Sequence, residues 1–206
     1  TATLVENLPI STVVYDGNAT DVDSSDTITF SISGTDAALF TVDSNDGEVR
    51  LKASADFETK NSYSFNIIAT DNGAGTLSTS KAVTLSVNNL NDPPSITSGA
   101  TGTIAENASI STIAYDAQAS DPDGNSITFS ITGTDASLFT IDSDDGEVRL
   151  KNSANFEVKN SYSINVVATD NGSTPANSTK AITINVNDQN DNPAVVNDTA
   201  ITTLNT

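Results

Sequence analysis

The sequence predicts an all-β protein built as two tandem Greek-key β-sandwiches of about seven strands each. Residues 39–73 and 138–172 are identical at 27 of 35 positions, which marks two copies of one module. Within each copy, apolar and polar residues alternate with period two, as in a strand with one buried and one solvated face. No stretch of 12 or more residues carries the stripe of an amphipathic helix.

In chain order, strands of the first module are expected near 3–5, 12–15, 27–33, 39–42, 48–51, 62–70 and 80–88. The first two are short runs of β-favouring residues. In the third, Ile28, Phe30 and Ile32 alternate with polar neighbours. The fourth and fifth flank Asn45-Asp46-Gly47, an acidic glycine turn that reads as a hairpin. In the sixth, Tyr63, Phe65, Ile67 and Ala69 form the apolar face, and in the seventh Val83, Leu85 and Val87 do so. The second module repeats this order, with Asp144-Asp145-Gly146 as its hairpin turn. The offset between copies is 100 at Glu6 and Glu106 and 99 at Asp71 and Asp170. Several differences are Val/Ile or Phe/Ile exchanges, which keep the β-favouring apolar character. Two packed antiparallel sheets close such a pattern. The modules are expected at 1–92 and 93–193, with 194–206 a tail or the start of a following module.

Composition narrows the chemistry. Of 206 residues, 27 are Asp or Glu and 8 are Lys or Arg, a net charge of −19, and Cys, His, Met and Trp are absent. No disulfide, thiolate or imidazole zinc site can form, nor a Ser-His-Asp or Cys-His mechanism. Such a chain repels phosphate backbones and attracts cations. No apolar run approaches the roughly 20 residues of a membrane-spanning helix. Without an initiator Met or a signal peptide, the chain reads as a piece of a longer polypeptide.

The acids recur in short oxygen-rich motifs at expected strand ends. In the first module these are Val5-Glu6-Asn7, Asp21-Val22-Asp23, Asp56-Phe57-Glu58, Ala69-Thr70-Asp71 and Asn89-Leu90-Asn91-Asp92-Pro93-Pro94. Their counterparts are Ala105-Glu106-Asn107, Asp121-Pro122-Asp123, Asn155-Phe156-Glu157, Ala168-Thr169-Asp170 and Asp188-Gln189-Asn190-Asp191-Asn192-Pro193. Neighbouring carboxylates repel unless a counter-charge neutralises them. Ca²⁺, which takes six to eight oxygen ligands, suits such groups.

Both units resemble cadherin repeats: the xEx, DxE, DxD, AxD and DxNDNP elements occur in that family's order, twice. The resemblance covers almost the whole chain and implies a cadherin/immunoglobulin-like sandwich whose interdomain junctions bind about three Ca²⁺. By position, the central junction would use Glu6, Asp56, Glu58, Asn89, Asn91 and Asp92 with Asp121, Asp123 and Asp170, and the backbone carbonyls of Leu90 and Pro93. Its seven carboxylates nearly balance three divalent ions. Asp21, Asp23 and Asp71 would form a half-site for a preceding module. Glu106, Glu157, Asp188, Asn190 and Asp191 would form one for a following module. The chain departs from the family at Asn89, where Asp is usual, at Pro93 directly after Asp92, and at Asn155 in place of the first Asp of DxE. Its Ser/Thr/Asn/Asp-rich, Cys-free style resembles bacterial cadherin-like repeats.

The resemblance implies a secreted or cell-surface, calcium-stiffened adhesion segment, with neighbouring repeats and identical modules as partners. An exchange of N-terminal strands through Trp cannot operate without Trp. A Ca²⁺-dependent polysaccharide-binding module and a passive spacer are the alternatives. Tyr15, Tyr63, Tyr115 and Tyr162 form two repeat-equivalent pairs whose role is core packing or sugar stacking. Nucleic-acid binding, membrane insertion and enzyme activity are not expected.

Overall fold

The computed structural model describes residues 2–23 and 25–192. Pro193 and the expected tail 194–206 lie outside the described residues. Two compact units divide the chain, the first ending at Asn91 and the second beginning at Asp92.

The first unit contains β1 (Ala2–Val5), β2 (Tyr15–Asp16), β3 (Ile28–Ser33), β4 (Phe40–Val42), β5 (Glu48–Leu51), β6 (Ser62–Asp71) and β7 (Ser78–Asn88). One sheet runs β1-β7-β6-β3 and the other β2-β5-β4. The expectation of purely antiparallel sheets is corrected: β1 pairs with β7 in parallel, Leu4 opposite Val87. A tight hairpin cannot join parallel neighbours, and here the whole module forms the connection between them. The expected strand at 12–15 shrinks because residues 9–12 form a turn, Thr12 N–H donating to Pro9 O. Leu39, expected as extended, ends a 3-10 turn over Ala37–Leu39.

Alternation places the core. Along β6, Tyr63, Phe65 and Ile67 are buried while Ser62 and Ser64 face water. From β7 they meet Val83, Leu85 and Val87, and from the opposite sheet Phe40, Val49 and Leu51. Full burial of such side chains stabilises by about 1.5–3 kcal/mol each, as an upper estimate. The acidic turn closes as a hairpin: Asp43 N–H donates to Glu48 O and Gly47 N–H to Asp43 O. Gly47 has φ +79° and lies against the Gly17 backbone, so a side chain there meets both conformational strain and a clash.

The second unit contains β8 (Ser95–Ile96), β9 (Thr101–Ala105), β10 (Tyr115–Asp116), β11 (Ala119–Ser120), β12 (Ile127–Thr132), β13 (Phe139–Ile141), β14 (Glu147–Leu150), β15 (Ser161–Asp170) and β16 (Asn177–Asn187). Its sheets run β12-β15-β16-β9 and β10-β14-β13, with β9 parallel to β16. The short pair β8 and β11 adds two strands to the seven expected.

Among the described residues, each unit pairs one buried aspartate with a partly exposed lysine. Asp36 accepts from Ser64 N–H and pairs with Lys60 at 3.1 Å. Asp135 accepts from Ser163 N–H and pairs with Lys159 at 2.6 Å. The lysines lie over the Tyr63 and Tyr162 rings at 5.3 and 5.2 Å. Tyr63, Tyr115 and Tyr162 are all buried, so three of the four tyrosines pack inside.

Candidate metal centres

Glu6 follows β1, where the chain leaves the sheet. Its carboxylate is buried, 2% exposed, and each oxygen accepts a backbone N–H at 2.7 Å: Phe57 to Oε2 and Leu90 to Oε1. Asn7 has φ +61° and donates its N–H to Ala55 O. Asn is among the few residues that adopt this left-handed conformation readily, and the bend keeps Glu6 over the 55–57 turn. Glu106 repeats the arrangement, 2% exposed, accepting from Phe156 N–H at 2.9 Å and Gln189 N–H at 2.7 Å, with Asn107 at φ +57°. The Gln189 and Phe156 N–H groups hold the Glu106 carboxyl below the usual carboxylate range. Each carboxylate oxygen keeps lone-pair capacity beyond its single backbone bond.

Around these glutamates stand further carboxylates. One ligand oxygen from each of Glu6, Asp56 and Glu58 lies within 4.8 Å of the others, and the same holds for Glu106, Glu157 and Asp191. Asp56 also caps its own turn, Oδ1 accepting from Thr59 N–H and Oδ2 from the Thr59 hydroxyl, both at 2.9 Å. Asn155 performs the backbone part of that task, accepting from Val158 N–H at 2.9 Å. Asp191 additionally accepts from the Asn107 amide. Asn89, Leu90, Asp188 and Asn190 are exposed, and Asn91 is half-buried.

At the other end of the first unit, Asp21, Asp23 and Asp26 form a third group, with ligand oxygens within 4.8 Å. Asp26 was not among the expected ligands. The two modules anchor this loop alike, Thr27 N–H on Asn72 Oδ1 and Ser126 N–H on Asn171 Oδ1. The one-residue difference between the copies therefore falls between Asp23 and Thr27, and a comparison of the two loop lengths is the signal that could have found Asp26. Asp71 is not a member of the group. Its carboxylate accepts from Gly73 and Leu77 N–H, although Gly73 lies against both Asp71 and Asp26.

In the second unit, Asp121 Oδ1 accepts from Asn125 N–H while Oδ2 is buried without a hydrogen-bond partner. An uncompensated buried carboxylate oxygen is costly, and a hard cation is the partner its chemistry fits. Asp123 Oδ2 accepts from Asp92 N–H at 2.7 Å. Asp170 is 4% exposed and accepts from Gly172 and Ala176 N–H. Asp92 belongs with the second unit, and Pro93 is exposed beside fully buried Pro94.

The family model described as Cadherin domain matches residues 1–88 and again 100–187. Human Protocadherin Fat 1 is 35% identical over 203 residues, 94% of this chain, and human Protocadherin Fat 4 is 32% identical over 203 residues, 93% of this chain. The chain spans 4% of the length of either relative. Its fold is similar to that of human Protocadherin-24 EC1-2, with a TM-score of 0.66 at 24% identity over 91% of this chain and 94% of that one. Mouse Cadherin-23 EC22-24 gives a TM-score of 0.58 at 23% identity over 92% of this chain and 63% of that one.

Proposed function

This chain belongs to the cadherin family, and from that premise we propose that it is a calcium-binding adhesion segment of an extracellular multi-repeat protein, in which Ca²⁺ stiffens the junctions between modules. The observation that carries the reading is the buried glutamate in each module, fixed by two backbone N–H groups and grouped with two further carboxylates. A carboxylate oriented before the ion arrives loses little freedom on binding, which favours affinity.

The central ions are assigned to Glu6, Asp56, Glu58, Asn89, Asn91 and Asp92, with Asp121, Asp123 and Asp170 from the second module and the Leu90 and Pro93 carbonyls. The partnerless Asp121 Oδ2 supports its place in that set. Asp21 and Asp23, joined by Asp26, are assigned to a preceding module, and Asp71, beside Gly73, stands as an outer ligand there. Glu106, Glu157, Asp188, Asn190 and Asp191 are assigned to a following one. When bound, calcium neutralises mutually repelling carboxylates, and the chain's own groups hold their oxygens ready for it. The partners are neighbouring repeats and identical modules at a cell surface. The buried tyrosines favour adhesion over polysaccharide binding, because aromatic sugar platforms must be exposed.

Calorimetric calcium titration, paired with small-angle scattering in EDTA and in millimolar calcium, tests the reading. Saturable binding with a stiffer profile is expected. Asp123→Ala and Glu58→Ala should each weaken binding about tenfold or more through loss of a charged ligand. Unchanged affinity in both variants overturns the residue assignment.

A further inference from the structure

The loops that leave β6 and β15 both begin with Asn-Gly, Asn72-Gly73 and Asn171-Gly172, and the dipeptide occurs nowhere else in the chain. Asn72 and Asn171 are exposed. A backbone donor from the neighbouring loop holds each side-chain carbonyl, Thr27 N–H on Asn72 Oδ1 at 2.8 Å and Ser126 N–H on Asn171 Oδ1 at 2.9 Å. Each following glycine donates its N–H to the aspartate before the pair, Gly73 to Asp71 Oδ1 at 2.9 Å and Gly172 to Asp170 Oδ1 at 2.8 Å. Glycine at 73 is also a packing requirement, because a Cβ there would collide with Asp26 Oδ2.

These are the parts of an acyl transfer within the chain. The glycine nitrogen is a nucleophile one residue from the asparagine carboxamide, and no β-carbon shields it. Its carboxylate acceptor draws on the N–H proton. The Thr27 or Ser126 N–H draws electron density from the carbonyl under attack, as an oxyanion donor does. Asn61 and Asn160 are exposed too, but they precede Ser62 and Ser161, which carry a β-carbon and are paired in the sheet.

We propose that Asn72 and Asn171 are sites of spontaneous deamidation in the folded protein, a one-way modification that turns the same loop of each module from amide to carboxylate with age. The Gly73 nitrogen bonds to Asn72 Cγ, the Cγ–Nδ2 bond breaks, and the former N–H proton leaves with the departing nitrogen as ammonia, which closes a succinimide ring. Water then opens the ring. Cleavage at the side-chain carbonyl leaves an aspartate, and cleavage at the backbone carbonyl leaves an isoaspartate, whose main chain is longer by one methylene. The aspartate still accepts from Thr27 N–H. The isoaspartate carries the Gly73 N–H away from Asp71 and loosens the loop. Gly172 and Asn171 follow the same course. Each event makes the net charge of −19 more negative by one. The inference stands apart from the calcium reading, and its test contains no calcium.

The 206-residue chain, incubated folded in EDTA at neutral pH and body temperature for several weeks, is followed by anion-exchange chromatography and peptide mapping. Two successive gains of negative charge are expected, each with a mass increase of about 1 Da and each mapped to Asn72 or Asn171. Enzymatic methylation should detect isoaspartate at the same two positions. Asn61 and Asn160 should convert about tenfold more slowly or less. Asn72→Gln and Asn171→Gln, which keep an amide but place it one methylene further out, should each remove one step. Asn72→Asp should elute with the aspartate form of the first product. The mapping is made on the parent chain, so its result stands whether or not a variant folds. A charge profile that never changes overturns the proposal, as does conversion that appears only in urea or falls equally on Asn61 and Asn160.

Discussion

Both modules bury one glutamate, tie it with two backbone N–H groups and bend the chain after it with a left-handed asparagine, yet they differ in what stands beside it. Glu6 is grouped with Asp56 and Glu58, whereas Glu106 is grouped with Glu157 and Asp191, and the Asp56 position holds Asn155. The turn needs an acceptor for a backbone N–H, and Asn supplies one as well as Asp. A cation needs charge, and Asn supplies none. The two demands therefore separate: the turn keeps its backbone bond through the exchange, and in the proposed calcium reading the cost falls on metal binding.

The largest break in this comparison comes from removing the shared element. Glu6→Ala leaves the Phe57 and Leu90 N–H groups without their acceptor and should destabilise the first module by about 2–4 kcal/mol. Glu106→Ala should act in the same direction on the second module. Denaturant unfolding in EDTA, followed by hydrogen exchange so that each module is read separately, checks both. An effect seen only with calcium present would show that the glutamates serve the ion and not the fold.

Next come the pairs of a buried aspartate with a partly exposed lysine. Asp36→Ala and Asp135→Ala each leave a buried strand N–H without its acceptor, a cost of about 1–3 kcal/mol, to which the partly exposed lysine adds little. The Lys159 ammonium foremost, then the Ser163 N–H, holds the Asp135 carboxyl below the usual aspartate range; at Asp36 the Ser64 N–H acts foremost, then Lys60. A carboxyl lowered in the folded state contributes stability that is complete above its unfolded pKa of about 4 and is lost as pH falls through the lower folded value. Unfolding free energy should therefore decline in acid, and Asp135→Asn should flatten that decline.

Exchanging the differing residue sharpens the comparison. Asn155→Asp should raise calcium affinity at the second module's base about tenfold, and Asp56→Asn should lower it about tenfold at the first. Both should leave stability in EDTA within about 0.5 kcal/mol. The smallest effect is expected at Asp144, exposed in a hairpin turn whose N–H groups are held by Asp142. Asp144→Ala should leave calcium binding unchanged and stability within about 0.5 kcal/mol.

The strands visible in the sequence are those with a long alternating face. β6 and β15 could be read from Tyr63-Phe65-Ile67 and their copies because burial imposes period two. β8 and β11 were not legible, since two-residue pairs leave no periodic signal. The parallel pairing of β1 with β7 is a property of the closed module and of no local segment. At the sites, the motifs marked Glu6 and Glu106 as ligands but could not reveal their burial, which follows from bonds to residues 51 and 84 positions away. Asp26 escaped because it stands in the loop that differs in length between copies, outside the repeated DxD.

The parallel alignment of β1 with β7, and of β9 with β16, has a mechanical consequence. In each module the chain runs from the first of these strands through the sandwich to the last, and in each pair the two run side by side in the same direction. Tension on a chain held at both ends then pulls the strands along their length in opposite directions. The register of Ala2–Val5 against Leu85–Asn88 is loaded in shear, with its hydrogen bonds strained together instead of opening one after another. A repeat built this way meets force with its strongest geometry.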